Sequence, residues 1–425
     1  MPKKKTTKTI EKPAGFNLFD SNIVSHTQEA LSTLRAKKKK GPLTLKSMSD
    51  ISSYILELDN FALQATLGLR GLRGRTVFEM IAQEGIGKTT LVFTLLGALM
   101  RSSNAPCLFV NTEGENKLPN AKRIQRCLDD DPKMAERMYN VLELDTGREL
   151  RETADFIEDW IKTTREFLND NGGQEVPIVI AIDTLSKLMS PGEAVGLLDS
   201  DTKKSAKAKG LGESSNLEFS KLMHAWCRRL PFILDEYNVL LISVSHQNQK
   251  IDMGGFGATM SADVSAGYNK TKRGGKALDQ NAAMQITLKR TGFYKNSAQE
   301  VQGHKIQMRV VKSSVGADNN ILDYILKTKH TEDMPPDYQE PALDFSEGLA
   351  NMFAEQRLLS TKVARKRYTS EPLGVEGVTA SEFVRAFNER PDLKNAVGVA
   401  LGIDGYLSDE WIEDASLEGE EKTDD

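Results

Sequence analysis

The chain has 425 residues, 39% of them hydrophobic and 27% charged, a length with room for two or three domains and a composition that excludes a wholly disordered or collagen-like chain. Lys and Arg number 56 against 60 Asp and Glu, a formal charge of -4, so the overall balance gives no sign of an anionic partner. Cys107, Cys127 and Cys227 are too few and too far apart for a disulfide framework or a paired-cysteine zinc site, and a reducing, cytoplasmic setting is expected. The longest apolar runs, around Ile178 to Ile182 and Val239 to Val244, fall far short of the roughly 18 residues that span a bilayer. The basic start MPKKKTTKTIEKP lacks the apolar run of a secretory signal, so no membrane partner is expected.

Read in pieces, the charge is uneven. Met1 to Lys46 carries eleven Lys or Arg against Glu11, Asp20 and Glu29, whereas Asp409 to Asp425 carries nine acids against Lys422. Such ends are commonly solvated and mobile; the functional reading is that a basic arm attracts a polyanion and an acidic tail competes with it. The expected organisation is a basic N-terminal arm or oligomerisation segment over 1–48 and a core over 49–330. A proline-rich linker over 331–343, a small α/β or largely helical C-terminal domain over 344–407 and an acidic tail over 408–425 follow it.

In chain order, Thr27 to Arg35 reads as a short helix, and Ser49 to Leu69 mixes apolar and polar positions at helical spacing before RGLRGR turns the chain. Val77 to Ile81 is a short β-type run, followed by a glycine loop and a helix-forming run from Leu91 to Met100. Strands are expected at Cys107 to Val110, Ile178 to Ile182 and Leu240 to Val244, and helices at Leu150 to Leu168 and Leu217 to Glu236. Runs such as IVIAI are apolar on both faces, which suits a central, mostly parallel sheet covered by helices, an α/β fold. Met284 to Arg290 and Lys305 to Lys312 alternate as strands do and look like extensions of that sheet.

Ala82-Gln83-Glu84-Gly85-Ile86-Gly87-Lys88-Thr89 matches the phosphate-loop pattern G-x-x-x-x-G-K-[ST] except at its first position. It stands between a β-type run and a helix, the context that gives the pattern meaning. Backbone N–H groups of Glu84, Gly85, Ile86, Gly87, Lys88, Thr89 and Thr90 would curl around the phosphates of ATP, with the positive end of the helix aimed at them. Lys88 would contact the β- and γ-phosphates, and the Thr89 hydroxyl would ligate Mg²⁺. Alanine at position 82 is tolerable only if that residue keeps negative φ, with Gly85 left for any positive-φ demand.

An apolar strand ending in Asp183 has the form of the second nucleotide motif, whose carboxylate supports Mg²⁺. FVNTEGE leaves Glu113 and Glu115 at the carboxyl edge of the strand between, where one of them can polarise the attacking water. The strand Leu240 to Val244 runs into Ser245 and His246, placed to hydrogen-bond a γ-phosphate and report it to the following loop. From Lys250 through Asp252 to Lys276, six glycines accompany Phe256, Tyr268, Lys270, Lys272, Arg273 and Lys276. Bases for phosphates and aromatics to lie against nucleobases suit single-stranded DNA. A second stretch near 190–215 carries Lys203, Lys204, Lys207 and Lys209 among Gly and Ser. A plain flexible insertion is the competing reading for either loop.

Taken together, these segments resemble the RecA recombinases over about Leu56 to Val315. DNFALQATLGLRGLRGRTVFEMIAQEGIGKTTL resembles the family's entry into its ATPase core, FVNTEGE the strand bearing the catalytic glutamate, VIAIDTLSKL the second nucleotide strand and LLISVSHQ the sensor strand. RGGKALDQNAAMQITLKRTG resembles the segment leaving the second DNA loop, and His246 in the sensor place is more like the phage recombinases of UvsX type. The resemblance implies a RecA-like core with Glu113 as the catalytic base. MRVVKSSV resembles the strand whose lysine reaches the neighbouring protomer's ATP, a role it assigns to Lys312, while Ser314 stands where the family has a second basic residue. The implied function is a DNA-dependent ATPase that forms helical filaments of itself on single-stranded DNA and exchanges strands with homologous double-stranded DNA. A ring-forming translocase or helicase of the same superfamily, and a non-enzymatic factor that coats or loads DNA, are the alternatives.

Overall fold

The computed structural model describes residues 55–103, 105–112, 141–143, 149–193, 213–248, 271–272, 276–314, 317–328, 342–359, 361–364, 366–403 and 405–406. The basic arm, most of the linker and the acidic tail therefore lie outside the described residues.

The chain enters through strand β1 (Ile55–Glu57), helix α1 (Phe61–Leu67), strand β2 (Gly71–Arg73), strand β3 (Thr76–Ala82) and helix α2 (Lys88–Ser103). Helix α1 is capped by Asn60, whose side chain accepts the Leu63 N–H, and stops at Gly68 in the left-handed conformation. The helical spacing expected from Ser49 to Leu69 is only partly realised, because Ile55 to Glu57 pairs antiparallel with Gly71 to Arg73. Gly71 permits this pairing: a Cβ there would stand 2.2 Å from the Leu56 carbonyl oxygen. The RGLRGR segment is thus half strand and half turn.

Next come strands β4 (Cys107–Asn111) and β5 (Val141–Glu143), helix α3 (Leu150–Asp170), strand β6 (Ile178–Asp183), helix α4 (Glu213–Glu236), strands β7 (Val239–Asn248) and β8 (Thr271–Lys272) and helix α5 (Lys276–Asn281). Two long strands, β9 (Ala282–Lys295) and β10 (Val301–Ser313), form a hairpin that leads to β11 (Ile321–Lys327) and β12 (Ala342–Asp344). The strands from β3 to β12 build one ten-stranded sheet in the order β12-β11-β10-β9-β3-β7-β6-β4-β5, with β8 beside β7. From β9 to β5 the pairs are parallel, and β10 to β12 add antiparallel strands at one side. A mostly parallel α/β sheet with an extension is what the sequence pattern implies.

The two-residue alternation along each parallel strand explains why these runs are apolar throughout. On β3, Phe78, Met80 and Ala82 enter one core with Leu91, Leu95 and Leu99 of α2. Val77 enters the other, with Ile178, Ile180 and Ile182 of β6 and the inner faces of α3 and α4. Helix α4 continues through Pro231, which lacks the N–H that would reach the Cys227 carbonyl. The Asn281 side chain donates to that carbonyl instead, at 2.5 Å. Arg165 is buried on α3 and fans its guanidinium over the carbonyls of Gly173, Gln174, Val176 and Tyr237, tying the helix end to the start of β6 and β7.

Beyond β12 lie helix α6 (Ser346–Glu355), the antiparallel strands β13 (Thr361–Ala364), β14 (Arg367–Ser370) and β15 (Val375–Val378), and helices α7 (Ala380–Asn388) and α8 (Pro391–Ala400). A capping box between Thr379 and Glu382 starts α7. This segment carries a small sheet as well as helices. Its aromatic side chains share a core with α1: Phe353 meets Phe61, Phe383 and Phe387 edge-on at centroid distances of 6.0, 6.0 and 5.1 Å.

Candidate nucleotide site

The site is built where β3, β4, β6 and β7 end, at the carboxyl edge of the parallel sheet. Ala82 closes β3 in strand conformation, so the missing first glycine costs the loop nothing. The positive-φ demands fall on Gly85 at 73° and Gly87 at 83°. At Gly87 a side chain would also meet Leu326 of β11, since a Cβ there lies 2.7 Å from Leu326 Cδ2. Helix α2 starts at Lys88, with the Leu91 N–H bonded to the Gly87 carbonyl at 3.0 Å. The loop's amide-rich bend thus faces the positive end of a helix of 16 residues. Glu84 and Gly85 are exposed at its tip, and Ile86 and Thr90 are buried at its base.

Lys88 is 5% exposed. Its ammonium donates to the Gln83 carbonyl at 2.7 Å and lies 3.2 Å from His246 Nδ1. The Thr89 hydroxyl donates to Asp183 Oδ2 at 2.5 Å. Lys88, Thr89, Asp183 and His246, chosen from three separate stretches of sequence, therefore meet around one loop. Among the described residues no three His, Cys, Asp or Glu side chains gather as a metal site by themselves. A magnesium ion at a nucleotide needs less, because it takes one or two protein oxygens and completes its shell with phosphate and water. The Thr89 hydroxyl and Asp183 carboxylate are hard oxygen donors of that kind, so the residues fit the ion.

Several residues that sequence reading missed hold these groups in place. Thr112, at the end of β4, donates its backbone N–H to the Asp183 carbonyl at 2.9 Å. Its hydroxyl donates to the Thr184 carbonyl and accepts the Thr184 N–H, both at 2.7 Å. The Asp183–Thr184 peptide is cis. The Thr184 hydroxyl donates to the Val244 carbonyl at 2.6 Å and lies 2.9 Å from Ser186 Oγ, which accepts the His246 N–H at 2.9 Å. Small hydroxyls thus lock the ends of β4, β6 and β7 to one another. Arg290 of β9 donates to the Gly85 carbonyl at 3.0 Å. Burial first, and then the Arg290 charge, pull His304 below its ordinary pKa, which favours a neutral imidazole lying tilted against Phe293 at 5.7 Å.

Lys312 stands two strands away from β3, on β10, where its ammonium donates to the Asp279 carbonyl at 2.6 Å. Glu113, Glu115, Lys203, Lys204, Lys207, Lys209, Lys250, Phe256, Lys270 and Arg273 lie outside the described residues. So do the side chains of Lys272 and Lys276, whose backbones belong to β8 and α5. Among the described residues no helix is long and apolar enough to cross a membrane.

No family model matches the chain. It is similar to Protein RecA of Methylococcus capsulatus, 26% identical over 311 residues that cover 72% of this chain and 75% of that one. It is also similar to Protein RecA of an Azoarcus species, 24% identical over 397 residues covering 91% and 96%. A third RecA-family relative, DNA repair protein recA homolog 3, mitochondrial, of Arabidopsis thaliana, is 23% identical over 295 residues, 68% of this chain and 57% of that one. At 23 to 26% identity, these matches support a divergent relationship to the RecA proteins. The RecA likeness is drawn from sequence over most of the length, whereas the meeting of Lys88, Thr89, Asp183 and His246 is drawn from geometry.

Proposed function

We propose that the chain is an ATP-dependent recombination and repair protein that assembles as a filament on single-stranded DNA and exchanges strands with homologous duplex. The observation that carries the ATPase part is the Lys88 to His246 contact, 3.2 Å between the helix-opening lysine and the end of β7. It supports a reading in which Lys88 binds phosphate and His246 senses it. The names of the similar proteins, RecA and a DNA repair protein, support the recombination part.

In this reading the loop amides of residues 84 to 90 and Lys88 bind the phosphates of ATP, and Thr89 and Asp183 supply the oxygens for Mg²⁺. The bound ion would neutralise charge on the phosphate oxygens. Water attacks the γ-phosphorus, Glu113 takes its proton, the bond from the γ-phosphorus to the bridging oxygen breaks, and ADP and phosphate leave. Glu113 follows Thr112 in sequence, and Thr112 is bonded to both sides of the Asp183–Thr184 peptide. His246 reports the γ-phosphate to the loop over 250–276, and Lys312 reaches ATP bound by a neighbouring copy. Lysines near 190–215 and the bases, Phe256 and glycines of 250–276 hold the DNA strand.

ATP turnover measured with and without single-stranded DNA tests the proposal. A rise on adding DNA is expected, with Glu113→Gln losing most of the turnover. Equal turnover in both conditions, or a Glu113→Gln variant as fast as wild type, counts against it.

A further inference from the structure

Glu79 is a carboxylate in the middle of TVFEMIA, the strand that feeds the phosphate loop, and it is fully buried. A buried carboxylate is costly unless its oxygens are well bonded. Ser245 of β7 donates to Glu79 Oε1 at 3.0 Å, and Gln285 of β9 donates to Oε2 at 2.7 Å. The same Gln285 amide donates to Asp279 Oδ1 at 2.7 Å, and the Asp279 carbonyl accepts the Lys312 ammonium at 2.6 Å. The strand register agrees: Glu79 is opposite Gln285, and Gln285 is opposite Lys312.

The two ends of this row are functional surfaces in the proposed reading. Ser245 immediately precedes His246, which touches Lys88. Asp279 sits in α5, whose first residue, Lys276, ends the proposed DNA loop. Lys312 is the group expected to leave Asp279 for a neighbouring copy's ATP. Both amide hydrogens of Gln285 are committed, one to each carboxylate, so it cannot follow Asp279 without loosening Glu79. Movement at either end is therefore felt at the other through a hydrogen-bonded path that is buried at Glu79 and partly buried at Asp279 and Lys312.

We propose that Glu79 is a positioning residue that, through Gln285 and Asp279, ties the phosphate-sensing end of β7 to the helix after the DNA loop and to Lys312, so that DNA stimulation of hydrolysis depends on it. The inference rests on the ATPase reading above. The full chain is assayed for ATP turnover with and without single-stranded DNA as wild type and as Glu79→Leu, Gln285→Met, Glu79→Gln and Lys312→Ala, and as the two cut variants each combined with Lys312→Ala. Glu79→Leu removes both acceptors, Gln285→Met cuts the row without touching the loop strand, and Glu79→Gln keeps it, since its amide oxygen accepts from Gln285 and its amide donates to Ser245.

Expected is DNA-free turnover within about 2-fold of wild type in both cut variants, with DNA-stimulated turnover lowered about 10-fold, an effect of the usual size for coupled sites. Glu79→Gln restores stimulation, and neither cut lowers turnover further once Lys312 is alanine. Full stimulation in both cut variants overturns the inference, as do losses that multiply with Lys312→Ala. Loss of both activities together with a lowered unfolding midpoint in both cut variants assigns the row a structural role and overturns it equally. Wild-type turnover indifferent to DNA sinks the ATPase reading itself; wild-type stimulation that survives the cuts sinks only the row.

Discussion

Lys88→Ala is expected to lower ATP turnover at saturating ATP and single-stranded DNA by at least about 100-fold, the usual scale for removing a preorganised charge from a phosphoryl-transfer site. The lysine is 5% exposed, its ammonium is fixed by the Gln83 carbonyl at 2.7 Å, and His246 stands 3.2 Å away. Little reorganisation is needed for it to meet phosphate, which is why its removal acts on turnover more than on fold. Gln83 is only half-buried, so water can replace the lost donor at its carbonyl. The thermal midpoint should therefore change little while turnover collapses. A variant that hydrolyses ATP within a few-fold of wild type would remove Lys88, and with it the loop, from the reaction.

Phe353→Ala is expected to destabilise the chain by about 3 to 5 kcal/mol, the range for deleting a large aromatic side chain from a closed core. Phe353 has no solvent exposure, and three aromatic rings meet it edge-on: Phe61 from α1, and Phe383 and Phe387 from α7. Those rings belong to two ends of the chain, and Phe61 touches Phe387 as well, at 5.0 Å. The cavity would open between the segment after β12 and the first helix of the core, where backbone collapse is resisted on both sides. Urea unfolding followed by fluorescence should show the midpoint fall with both regions still melting together. A loss under about 1 kcal/mol would mean that the segment after β12 contributes little to the core it touches.

The parallel sheet was legible because its strands are short apolar runs closed by a polar residue, and IVIAID and VLLISVSH read plainly. Buried on both faces, they needed helices on both sides, and the helices came from their own periodicity. The C-terminal sheet was not legible: β13 and β14 are four-residue strands in TKVARKRYTS, where charged residues interrupt any alternation. Strand β1 failed for a related reason, since three residues cannot establish a period against the helical spacing around them.

At the site, Lys88, Thr89, Asp183 and His246 could be named because each lies at or near a strand end or a helix start. Thr112, Thr184 and Ser186 could not, because a small hydroxyl at a strand end looks the same whether it locks a neighbour or faces water. Glu79 was in plain view as an acid inside an otherwise apolar strand. Its meaning required the register that sets Gln285 and Lys312 beside it.

The most direct test of the central claim is a strand-exchange assay between a circular single strand and a homologous linear duplex, run with ATP and with a nonhydrolysable analogue. Joint molecules are expected with ATP and with the analogue, where they form without turnover of the protein, and none with a heterologous duplex. Vigorous DNA-dependent hydrolysis with no joint molecules under any of these conditions would contradict it.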